Sequence, residues 1–132
     1  MSRLRKEIKS SMTELRDNGQ ELTAHFCFSQ EFIGFKGHFP GKPVLPGVCK
    51  IQAVLCMLEE STRKMPQLKE IISAKFFNPV TCNEEVVCTV RQESEGSEET
   101  RVLALITNGD KKISEIKLKV VFKAQRGVND AA

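Results

Sequence analysis

Apolar residues recur at three- and four-residue spacing through Val48, Ile51, Val54/Leu55, Leu58 and Met65. This spacing predicts one amphipathic helix over 47–65, about five turns long, closing before Pro66. Elsewhere the period is two. Ala24, Phe26 and Phe28 alternate, as do Val86, Cys88 and Val90, and then Ile116, Leu118, Val120 and Phe122 against Glu115, Lys117 and Lys119. Each run reads as a strand with one buried face. Strands are expected at 20–28, 70–76, 84–93, 100–107 and 111–123. Asn78-Pro79, Glu95-Gly96-Ser97-Glu98 and Asn108-Gly109-Asp110 mark the turns.

The N-terminal stretch carries two patterns. Leu4, Ile8, Met12 and Leu15 fit a helical stripe over 3–15, whereas Ile8, Ser10 and Met12 also alternate. Arg16-Asp17-Asn18-Gly19 is a turn signal that favours a hairpin of 7–15 with 20–28. The helical alternative stays open. Ser29 is placed to cap a short helical turn before Gly34. A strand pair, one long helix and a four-stranded meander give an α+β layout in a single domain over 1–132, with the tail from 124 expected to be disordered.

Between strand and helix lies Phe35-Lys36-Gly37-His38-Phe39-Pro40-Gly41-Lys42-Pro43-Val44-Leu45-Pro46-Gly47-Val48. Three prolines and three glycines between Gly37 and Gly47 specify the path of this loop. It holds one histidine and runs into a helix start, where backbone N–H groups are unpaired and the helix dipole is positive. A held imidazole beside such N–H groups suits an acyl carbonyl whose oxygen gains charge when the neighbouring carbon loses a proton.

Totals narrow the picture further. Twenty Lys and Arg against seventeen Asp and Glu leave a net charge of +3, too weak to argue for nucleic acid. It is compatible with an acidic partner. No apolar run approaches the ~20 residues of a membrane span, and the basic N-terminus has no apolar segment behind it. The five cysteines are odd in number and lack zinc-site spacing. They read as reduced small hydrophobes in a cytoplasmic protein, Cys49 included, and no metal or cofactor is expected. His25, opposite Phe26 on its strand, reads as a half-exposed strand histidine and not as a second catalytic group.

The loop resembles the signature of the 3-hydroxyacyl-(acyl carrier protein) dehydratases, Phe-x-Gly-His-Phe-Pro-Gly-x-Pro-x-x-Pro-Gly-Val, at nearly every position of 35–48. Ala74-Lys75-Phe76-Phe77-Asn78-Pro79-Val80 resembles the segment that follows the family's helix, although Cys82-Asn83-Glu84 replaces its Pro-Gly-Asp. The resemblance implies a hot-dog fold, a sheet wrapped around one helix. It also implies a homodimer or higher multiple, paired edge to edge with the acyl pocket at the interface. The substrate would be an acyl thioester on acyl carrier protein or coenzyme A. Carried over by position, His38 takes the base role, Gly47 and Val48 lie at the oxyanion site, and Phe39 and Pro46 contact substrate.

The family carries Glu or Asp fourteen residues after its histidine, and here that position is Gln52. An amide can hydrogen-bond a hydroxyl or a water but cannot act as a general acid. Three function classes follow: a dehydratase in which His38 handles both proton steps, a thioesterase in which His38 or Gln52 positions water, and a non-catalytic acyl-binding subunit of a heteromer. The product separates them: a double bond, a free acid, or nothing.

Overall fold

The computed structural model describes residues 2–36, 43–94 and 98–124. In chain order its elements are α1 (Arg3–Ser10), β1 (Met12–Asp17), β2 (Glu21–Cys27), a 3-10 turn (Ile33–Phe35), α2 (Gly47–Thr62), β3 (Lys64–Phe76), β4 (Glu85–Ser94), β5 (Glu99–Asn108) and β6 (Lys111–Ala124). The six strands form one antiparallel sheet in the order β1-β2-β4-β5-β6-β3. With α2 against its inner face this is the expected hot-dog fold.

The alternating runs fall inward as read. Ala24, Phe26 and Phe28, then Val86, Cys88 and Val90, then Ile116, Leu118 and Val120 are all buried, with Phe122 packed against them. From Cys49 to Glu59, every residue of α2 except Gln52 is buried. A helix buried nearly all round has to be covered on both sides. The sheet covers one side and α1 lies against the other, so α2 is the core of the molecule.

Both N-terminal readings are half right. Ser2 Oγ accepts the Arg5 N–H and caps α1, where Ile8 is fully buried. Ser11 ends the helix, its N–H bonding to the Glu7 and Ile8 carbonyls, and Met12 then pairs with Phe26 as a strand. The stripe and the alternation share Ile8 and Met12, so periodicity could not place the boundary between them. The hairpin therefore spans 12–17 with 21–27, not 7–15 with 20–28. Ser29 caps nothing through its side chain; its carbonyl accepts the Phe32 N–H, and the 3-10 turn starts later.

The long helix ends at Thr62, three residues before the expected limit. Arg63 adopts φ 62°, and its N–H closes on the Glu59 carbonyl. The chain then reverses at once, so β3 begins at Lys64 instead of residue 70 and includes Pro66. Proline is tolerated there because β3 is a sheet edge, pairing only with β6 among the described residues. The turn expected around Gly96 and the tail beyond 124 lie outside the described residues.

Candidate functional site

The breaker-rich loop delivers the chain to α2 at one point. Leu45 donates its N–H to the Val80 carbonyl at 2.8 Å, tying the end of the loop to the β3–β4 connection. Pro46 is the N-cap and Gly47 the first helical residue. No side chain caps this end, and no acidic residue sits in the first turn. The positive end of α2 is thus left uncompensated by its own sequence. His38 and Phe39, the expected base and one substrate contact, lie outside the described residues.

Gly47 packs on Phe76 from the end of β3. A Cβ at position 47 would stand 2.8 Å from Phe76 Cζ, so only glycine lets helix and ring approach this closely. Val48, the next residue, is 58% exposed. Pro46 and Gly47 line a groove of about 370 Å³ together with Leu45, Phe76, Phe77 and Pro79. Two of the carried-over residues therefore share one concave surface, and Val48 opens beside it. The floor is fixed by the Phe77 N–H to Ile113 carbonyl bond at 2.8 Å and by Asn78 Nδ2 donating to the Lys112 carbonyl at 2.7 Å.

Gln52 is half-buried between buried Ile51 and Ala53. Five residues beyond Gly47 it lies about 7.5 Å along the helix axis. Its carboxamide makes no hydrogen bond to any described residue. Glu59, the nearest carboxyl further along the helix, is committed elsewhere. Its Oε1 accepts from Arg5 at 2.8 Å and lies 3.3 Å from Lys9 Nζ, clamping α1 to α2. Glu60 lies 3.4 Å from Lys9.

The remaining candidate groups sort by environment. Burial raises the Cys49 thiol to about 11, which leaves it protonated and unreactive near neutral pH. His25 sits on the outer side of β2 with Nδ1 3.0 Å from Glu85, as a half-exposed strand histidine should. Lys50 was not singled out from the sequence. It is 4% exposed, its Nζ 4.9 Å from the Phe76 ring centroid, and burial lowers its pKa against the opposing pull of Glu84. A lysine one position before Ile51 in the apolar stripe was the available signal.

The sequence matches the ApeI-like family, described as ApeI dehydratase, over residues 14–117. It is 30% identical over 118 residues to the 3-hydroxyacyl-(acyl-carrier-protein) dehydratase FabZ of Wolbachia sp. subsp. Drosophila simulans (strain wRi), covering 81% of this chain and 80% of that protein. The FabZ of Myxococcus xanthus (strain DK1622) is 37% identical over 71 residues, 47% of this chain and 46% of its own. Among solved structures, the dehydratase heterocomplex ApeI:P from Xenorhabdus doucetiae superposes with a TM-score of 0.65 at 21% identity, over 83% of this chain and 96% of that one. A hypothetical thioesterase of Streptococcus pneumoniae TIGR4, solved with coenzyme A, gives 0.65 at 9% identity over 94% and 97%. These two structures share the fold.

Proposed function

Because the chain belongs to the ApeI-like dehydratase family, we propose that it removes water from 3-hydroxyacyl thioesters carried on acyl carrier protein or coenzyme A. His38 takes the C2 proton as general base. The electron pair of that C–H bond forms the C2–C3 double bond, and the C3–O bond breaks. The proton held by His38 passes to the departing hydroxide, giving water and a 2-enoyl thioester. Gln52 hydrogen-bonds the leaving hydroxyl without supplying a proton. The first N–H groups of α2, at Gly47 and Val48, receive the charge that builds on the thioester oxygen. Phe39 and Pro46 flank the acyl chain.

The observation that carries this reading is the junction at Pro46–Gly47. There a dehydratase-like loop meets a helix start with neither a side-chain cap nor an acidic residue in its first turn. Two subunits paired through β3 would bring the histidine loop of one towards Gln52 of the other.

Incubation with 3-hydroxyacyl thioesters of several chain lengths, following alkene and free thiol together, tests the proposal. Alkene without thiol release supports it. Thiol release without alkene turns the reading to a thioesterase. Neither product from the chain alone, with alkene on adding a carboxylate-bearing homologue, turns it to a subunit of a heteromer, which the missing carboxyl at position 52 would explain.

A further inference from the structure

Among the described residues, the groove beside the start of α2 is lined by one cation and by no anion. Lys50 is 4% exposed and lines the groove with Val44, Leu45 and Pro46 on one side and Phe76 and Phe77 on the other. Its ammonium stands over the Phe76 ring, and no carboxylate of the described residues lies within ion-pair distance. Glu84 is close enough to favour the charged form, but its oxygens are taken by the Thr81 N–H and Asn108 Nδ2. The stem of Lys50 is buried while its ammonium keeps an edge on the groove, so the charge faces the groove without a carboxylate beside it. The Phe76 ring offers the ammonium a cation–π contact but no counter-charge. The uncapped positive end of α2 opens on the same groove, so two sources of positive potential converge on apolar walls.

Resting on the thioester reading above, in which the Gly47 and Val48 N–H groups serve the thioester oxygen, we propose that Lys50, in the groove beside the start of α2, forms a subsite for an oxyanion, a phosphate or a carboxylate, borne on the thioester ligand. Apolar walls take a slender chain, and the Lys50 ammonium takes its charged group. Lys50 and Gln52 are about 200° apart around the helix, so this subsite recognises ligand from another side than the position of the missing acid.

Calorimetric titration of the intact protein with butyryl-pantetheine, butyryl-4′-phosphopantetheine and succinyl-pantetheine tests the subsite. One of the two anionic ligands should bind about tenfold or more tightly than the neutral one. A phosphopantetheine preference assigns the anion to the carrier arm, and a succinyl preference assigns it to the acyl chain. Lys50→Met should erase the preference and Lys50→Arg should keep most of it. Equal binding of all three ligands overturns the proposal, as does a preference that survives Lys50→Met. Dissociation of an oligomer by Lys50→Met, seen in light scattering, also overturns it, because the ammonium would then pair with a neighbouring subunit. An anion preference without alkene formation leaves the subsite standing and removes the dehydratase reading. Alkene formation without an anion preference does the reverse.

Discussion

Phe76, the last residue of β3, brings the tip of its ring against Gly47, the first of α2, and the helix start and the sheet edge are held in register by the absence of one methyl group. The Phe76 ring is half exposed, so it can yield towards solvent. Gly47→Ala should therefore cost little stability but displace the groove wall, with a loss of activity larger than the loss in Tm. Gly34 gives the contrast. A Cβ there would meet Cys49 Sγ at 2.8 Å and the Phe32 ring, both buried. Gly34→Ala should lower stability by about 1–3 kcal/mol in a denaturant titration.

His38→Ala should abolish alkene formation, since no other residue of the loop can take the C2 proton. Gln52→Glu should raise it by one or more orders of magnitude, within the roughly 10²–10⁴ associated with general acid catalysis. A carboxyl among apolar helix neighbours tends to a raised pKa, which favours the acid form it needs. A fall in alkene formation in Gln52→Glu, with free thiol released by the parent protein, would favour the thioesterase.

Glu59 is 5% exposed and answers to Arg5 and Lys9 at once. Glu59→Gln leaves two cations against a neutral amide and should cost about 3 kcal/mol. Arg5→Met in the same chain should recover part of that loss, a coupling that a double-mutant cycle measures.

Glu84 gives the chain an acid-sensitive tie. Burial disfavours its charge, but the Thr81 N–H and Asn108 Nδ2 outweigh burial and hold its carboxyl below the usual value. A depressed folded-state pKa contributes stability that is fully present above the unfolded value, near 4.5, and is lost as pH falls through the folded one. The Tm gap between the parent protein and Glu84→Gln should be constant above about pH 6 and close towards pH 3.

Light scattering at micromolar concentration should report at least twice 14.8 kDa. Among the described residues one long side of β3 has no strand beside it, and Met65, Ile71 and Phe76 along it are exposed. A clean monomer would remove the interface on which the pairing of His38 with Gln52 depends.

The strands and the central helix were legible because each buries one repeating set of positions, and burial is what periodicity records. Boundaries were less so. Arg63 in a left-handed conformation and Pro66 inside a strand are tolerated for tertiary reasons, a tight reversal and a sheet edge, that local sequence does not carry. The candidate site was read from its glycines and prolines; the described residues place Pro46 and Gly47 at the helix start, while His38 and Phe39 lie outside them. Lys50 was not legible, because a lysine in a helix reads as solvated until the ring of Phe76 and the walls of the groove are seen to close around it.

The unshared side of β3 has a consequence for how the protein is handled. About half of the backbone groups of this thirteen-residue strand point to that side, and Pro66, Lys64, Lys69, Glu70 and Lys75 along the strand only partly guard it. Native pairing and misdirected pairing would then draw on the same hydrogen bonds. If subunits pair through β3, dilution, mild chaotrope or a charge placed at Ile71 would separate them and, in the same stroke, bare a template for any extended chain nearby. Soluble yield should track subunit concentration during refolding, best at an intermediate value where correct partners meet before stray strands do.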